Sequence, residues 1–127
     1  MQLDHTAIYV QDLERMKTFY ETYFGAVANR LYHNPKTGLQ TYFLSFEQGA
    51  RLEIMTRPEV LPRAEKQPAF GYAHLAFRVG SREKVNELTK TLRQAGYIVT
   101  SEPRVTGDGY YESCICDPEG NLVELVA

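Results

Sequence analysis

Residues 3–10, LDHTAIYV, alternate in polarity: Thr6, Ile8 and Val10 fall on one side, and Leu3, His5, Ala7 and Tyr9 on the other. A period of two predicts a strand with two different faces. The period then changes. Asp12 is placed to cap a helix over residues 13–24, where Leu13, Met16, Phe19, Tyr20, Tyr23 and Phe24 fall near helical spacing, and Gly25 can end it. Three short strands are expected next, at 27–32, 40–47 and 51–56, the last two joined by the turn-like EQGA. This first unit reads βαβββ. Residues 58–69 hold three of the six prolines and read as a linker. The pattern then restarts: strand 72–79, helix 81–96, a strand near 97–100, a loop, strand 110–117, the turn PEG and strand 121–126.

The restart can be checked by position. His5 and His74 are 69 residues apart, whereas Gly25 and Gly96, Gly49 and Gly120, and Glu53 and Glu124 are each 71 apart. One two-residue insertion in or near the second helix reconciles the offsets. Matching offsets at two glycines and a glutamate, with a histidine at the equivalent point of the first strand, identify an internal repeat. The expected domain is therefore a single one of two βαβββ modules: module one about 1–57, linker about 58–69, module two about 70–127.

Alternation also says where the polar members of the repeat point. Leu75, Phe77 and Val79 share one face of their strand, and Tyr72, His74, Ala76 and Arg78 the other. Glu53 is flanked by Leu52 and Ile54, and Glu124 by Val123 and Leu125, so both glutamates leave the apolar face. If helices cover one face of each sheet, His5, Glu53, His74 and Glu124 project from the other. The expected fold class is α+β, with two βαβββ modules forming a curved mixed sheet around a metal-binding cavity and helices on the outer face.

Composition narrows the partners. A 127-residue chain fits one domain that buries roughly two-thirds of its unfolded surface. Fourteen Lys and Arg are scattered among 16 Asp and Glu, for a net charge of −2, with no basic stripe to bind nucleic acid. No apolar run approaches the ~20 residues that cross a bilayer, and MQLDHTAIYV is not a charged-then-apolar secretory start. A cytoplasmic protein with no membrane partner is expected. Cys114 and Cys116 are too close for an ordinary disulfide within one strand; they share a strand face and read as small packing residues or redox-sensitive thiols. His33, in a turn-rich stretch without a repeat partner, reads as a surface residue.

Taken singly, a half-buried strand histidine is usually structural and an exposed strand glutamate is usually just solvated. Four of them at repeat-equivalent positions ask for a common explanation. Two imidazoles and two carboxylates suit a divalent ion such as zinc, nickel or cobalt, with iron or manganese as further options. An ion that accepts six ligands keeps two positions for water or for two adjacent substrate oxygens, which is the setting of Lewis-acid catalysis.

The segments HTAIYVQDLERMKTFYETYFG, LEIM, GYAHLAFRV and DPEGNLVEL closely resemble the vicinal oxygen chelate superfamily, and within it the glyoxalase I (lactoylglutathione lyase) family, over essentially the whole chain. The paired histidines and terminal motif are specific for the superfamily and much less so for substrate. The resemblance implies two βαβββ modules around a divalent metal held by His5, Glu53, His74 and Glu124, the set the repeat already picks out. It also implies methylglyoxal detoxification. Methylglyoxal and a thiol form a hemithioacetal whose neighbouring oxygens bind the metal, and a carboxylate moves a proton between adjacent carbons through an enediolate, giving an S-lactoyl thioester. Glu124 is the first choice for that base and Glu53 the second.

The chain also departs from the family pattern. Bacterial glyoxalase I usually has an arginine where Tyr9 stands and commonly an asparagine where Arg57 stands, both of which help hold glutathione. Arg57 can supply a replacement cation, and Arg78 shares the His74 face, so Tyr9, Arg57 and Arg78 are the expected substrate-binding residues, for this or another thiol. The loop TGDGYYE resembles a glycine-containing segment near the substrate in relatives, and reads equally well as an ordinary turn. Within the superfamily the alternatives are an epimerase, a thiol transferase acting on fosfomycin, a ring-cleaving dioxygenase, or a metal-free drug-binding resistance protein; Glu53 as a fourth ligand counts against them. A homodimer is expected, with each site built from one chain or shared between two.

Overall fold

A computed structural model describes residues 1–63 and 70–127, and its chain divides into two compact units, Met1–Glu65 and Lys66–Ala127. Residues 64–69, the end of the expected linker, lie outside the described residues.

In the first unit β1 (His5–Tyr9) leads into α1 (Leu13–Phe24), then β2 (Val27–Ala28), β3 (Tyr32–His33), β4 (Gln40–Ser45) and β5 (Arg51–Thr56). The Asp12 side chain accepts from the Arg15 N–H to cap α1, and Gly25, with φ of 65°, closes it. The sheet runs β1-β5-β4-β2, with β3 also on β4; β1 and β5 are parallel and the other pairs antiparallel. Met16, Phe19 and Tyr20 of α1 are buried with Leu44, Leu52 and Ile54, all from the sheet face opposite His5 and Glu53. Burying side chains of this size is what holds α1 on the sheet, at roughly 1.5–3 kcal/mol each.

The second unit repeats the plan with β6 (His74–Arg78), α2 (Arg82–Gln94), β7 (Val99–Val105), β8 (Tyr111–Cys116) and β9 (Leu122–Val126). Its sheet runs β6-β9-β8-β7, again with a single parallel pair, β6 with β9. Val85 and Leu92 of α2 are buried with Ile115, Val123 and Leu125. Beneath the helix, the Thr89 and Ser113 hydroxyls hydrogen-bond at 2.7 Å, which satisfies two buried polar groups. The repeat glycines Gly49 and Gly120 both take the left-handed region, at φ of 89° and 82°, in the turns before β5 and β9.

Two elements differ from the sequence expectation. The single strand expected at 27–32 is split, because Ala28 pairs with Leu44 but Tyr32 with Thr41, leaving three residues opposite two. Asn29 sits in this bulge, its N–H donating to the Phe43 carbonyl and its side-chain oxygen accepting from the Phe43 N–H. His33 is exposed, as expected, but at the end of β3 rather than in a turn. The second difference is β7, which runs on to Val105 through Pro103 where a loop was expected. It is an edge strand with register shifts on either side of Ser101, a place where the missing proline N–H costs no ladder bond.

Candidate metal centre

The parallel pairing fixes the spacing of the candidate ligands. In β1–β5, His5 pairs with Arg51 and Ala7 with Glu53; in β6–β9, His74 pairs with Leu122 and Ala76 with Glu124. In each module the glutamate therefore lies diagonally across from its histidine on the face turned away from the helix, with an alanine opposite it. The alanine methyl leaves the space between the two functional side chains open.

His5 Nε2 is 3.7 Å from Glu53 Oε2, and His74 Nε2 is 3.2 Å from Glu124 Oε2. Two donors each about 2.1 Å from one ion stand about 3.0–3.4 Å apart at octahedral to tetrahedral angles. The second pair already has that spacing and the first is a few tenths of an ångström wider. The donor chemistry and spacing thus fit a divalent ion. Within each module, among the described residues, the donors come as a pair and not as a group of three. The two imidazole side chains are about 40% exposed and the two glutamates 16% and 20%, so all four remain reachable while their stems are packed.

The surroundings of the two pairs are unlike. In module one the Asp4 carboxylate accepts from His5 Nδ1 at 2.7 Å and also holds the Arg51 guanidinium. Asp4 is thereby kept below the ordinary carboxyl range, chiefly by the His5 hydrogen bond and then by Arg51. Arg51 lies over the Phe43 ring, and that ring meets His5 edge-on, with centroids 5.2 Å apart. The Thr41 hydroxyl donates to Glu53 Oε1 at 2.9 Å.

In module two, His74 and Glu124 line an open cleft of about 560 Å³ together with Arg78, Asp108, Tyr110 and Glu112. Asp108 and Tyr110 are presented by a tight turn, in which the Tyr110 N–H donates to Thr106 Oγ1 at 2.9 Å and the Gly109 N–H to the Thr106 carbonyl at 3.0 Å. The TGDGYYE loop is thus a hairpin turn whose residues also reach the cleft. Arg78 spends one donor on the Ala127 carbonyl at 2.6 Å. In module one, Arg57 lies over the Tyr9 ring, 5.6 Å from its centroid, with Glu59 3.7 Å from Arg57 Nε, so two of the expected substrate contacts adjoin. Cys114 pairs directly with Glu124, and neither Cys114 nor Cys116 forms a disulfide.

Three residues that sequence reasoning passed over help to build the site. Asp4 and Thr41 touch the candidate ligands directly. Asp117, 3% exposed, accepts from the Glu119 and Asn121 N–H groups at 3.0 and 2.9 Å and from Asn121 Nδ2 at 2.8 Å, tying the turn that launches β9 and Glu124. The run D-P-E-G-N carried the signal for that turn.

The Glyoxalase/Bleomycin resistance protein/Dioxygenase superfamily model matches residues 2–125, and the chain belongs to that superfamily, whose members include the vicinal oxygen chelate enzymes. An uncharacterized Pseudomonas aeruginosa protein, PA2024, is 31% identical over 97% of this chain and 86% of its own length. The lactoylglutathione lyase of Haemophilus influenzae is 29% identical over 99% of this chain and 92% of its own. The trypanothione-dependent glyoxalase I of Leishmania major has a similar structure, with a TM-score of 0.78 at 25% identity over 99% of this chain and 86% of that one. No helix among the described residues is long and apolar enough to cross a membrane.

Proposed function

We propose that the chain is a glyoxalase I-type isomerase that converts the hemithioacetal of methylglyoxal and a thiol into the S-lactoyl thioester. The observation that carries this reading is the recurrence of one His–Ala–Glu arrangement at equivalent register positions in both modules. The Haemophilus influenzae lactoylglutathione lyase among its relatives supports the same chemistry.

His5, Glu53, His74 and Glu124 would hold the ion, with both pairs taken from one chain or from two chains of a homodimer. Bound there, a divalent ion supplies Lewis-acid stabilisation of the negative charge that develops on the substrate oxygens. The Glu124 carboxylate takes the proton from the carbon bearing sulfur and hydroxyl and returns it to the neighbouring carbon. One C–H bond breaks and another forms, the hydroxyl proton of the first carbon passes to the oxygen of the second, and no atom is gained or lost. Glu53, tied to Thr41, is the less mobile of the two carboxylates. Arg57 beside Tyr9, and the free donors of Arg78, serve the carboxylates of the thiol carrier.

The test is isomerisation of the methylglyoxal hemithioacetal with glutathione and then with bacillithiol, after loading the protein with Ni²⁺, Co²⁺ or Zn²⁺. Turnover with at least one thiol and metal is expected. Its absence in every combination rejects the activity.

A further inference from the structure

The repeat that makes the two His–Glu pairs equivalent also identifies the positions around them, and there the modules disagree. Position 4 is Asp in module one, and its counterpart, 69 residues on, is Ala73. Counting 71 residues on, Thr41, Phe43 and Arg51 become Glu112, Cys114 and Leu122. The register confirms these matches: Thr41 pairs with Met55 as Glu112 pairs with Val126, and Phe43 pairs with Glu53 as Cys114 pairs with Glu124. Every residue that braces the first pair is replaced in the second by one that cannot do the same.

The consequences differ atom by atom. A carboxylate only accepts, so Asp4 at 2.7 Å places the His5 proton on Nδ1 and leaves the Nε2 lone pair turned toward Glu53. Arg51 fixes Asp4 from its other side, and Phe43 limits rotation of the imidazole. Thr41 occupies Glu53 Oε1 and leaves Oε2 on the histidine side. In module two Ala73 has no acceptor to set the His74 tautomer. Glu112, an acceptor when ionised, cannot donate to Glu124 and lies instead 3.5 Å from Arg104.

We infer that the His5–Glu53 pair is pre-oriented for an ion, with Asp4 and Thr41 as its positioning residues, a bracing not repeated in module two among the described residues. The inference rests on the metal-dependent reading above. It adds two residues to the site.

The test uses the full chain and two readouts. In the metal-free protein, ¹⁵N-edited NMR of the imidazoles at a pH where they are neutral should find His5 as the Nδ1–H tautomer, and Asp4→Ala should return it to the Nε2–H form that free imidazole favours. Isothermal titration with Co²⁺ should show Asp4→Ala and Thr41→Val weakening binding about ten- to a hundredfold. Thr41→Ser should restore the wild-type value. An Nε2–H tautomer for His5 in the wild type, or unchanged Co²⁺ affinity in both Asp4→Ala and Thr41→Val, overturns the inference. A wild type that binds no Co²⁺ would defeat the metal-dependent reading instead, and the tautomer measurement would still decide the role of Asp4.

Discussion

Ala7 stands directly opposite Glu53 in the parallel β1–β5 pair, two residues along from His5, and the same relation holds between Ala76 and Glu124 in β6–β9. The methyl group keeps a gap between imidazole and carboxylate that a larger side chain would fill. Ala7→Leu should therefore lower divalent-metal affinity about tenfold or more. Because Ala7 is exposed and faces away from α1, stability should change by no more than about 0.5 kcal/mol. Metal titration alongside urea denaturation of the metal-free protein checks both halves.

Glu124 has two tasks in this account, and one substitution separates them. Glu124→Gln keeps an oxygen donor but removes the basic carboxylate, so kcat should fall about 10²- to 10⁴-fold while metal affinity falls far less. Steady-state kinetics at saturating metal, paired with titration calorimetry, make the comparison. Loss of metal with residual activity unchanged would assign the base elsewhere.

Asp117 holds the turn before β9 through three hydrogen bonds, and its carboxylate is nearly fully buried. Asp117→Ala leaves the Glu119 and Asn121 donors without their acceptor, at a cost of about 1–3 kcal/mol. A lowered urea midpoint, with metal affinity lowered as well because Glu124 lies on the strand this turn launches, is the expected outcome.

A second ion-pair cluster, on the helix side of module one, adds a pH-dependent contribution to stability. The Tyr42 hydroxyl donates to Glu14 at 2.6 Å and Lys17 pairs with the same carboxylate at 2.8 Å. Glu14 is held below its ordinary 4.5 by Lys17 first and Tyr42 second, while Lys17 and Tyr42 are both raised, chiefly by Glu14. With the folded value below the unfolded one, the stabilisation is complete above about 4.5 and is lost as pH falls through the folded value. Glu14→Gln should be less stable than wild type at neutral pH, and the difference should close in acid. Urea melts of metal-free protein at several pH values check this.

The alternation of residues 3–10 and 72–79 was enough to give both strands their faces, because a strand's period is local. The repeat offsets then placed Glu53 and Glu124 without any structure. What escaped was set by contacts across strands. Asn29 splits a strand by answering Phe43, and Pro103 continues one only because β7 is an edge. Asp4 and Thr41 escaped for a related reason: an internal repeat marks residues that recur, and these two are replaced by Ala73 and Glu112 in module two. Tyr9 and Arg57 were legible as departures from a family pattern, but their stacking was not.

The central claim is that two duplicated His–Glu pairs make one metal centre. Titrating the metal-free chain with Ni²⁺ or Co²⁺ measures it directly. One tight site per chain, lost in both His5→Ala and His74→Ala, is the predicted result. No tight binding, two independent sites per chain, or binding that survives either substitution would contradict it.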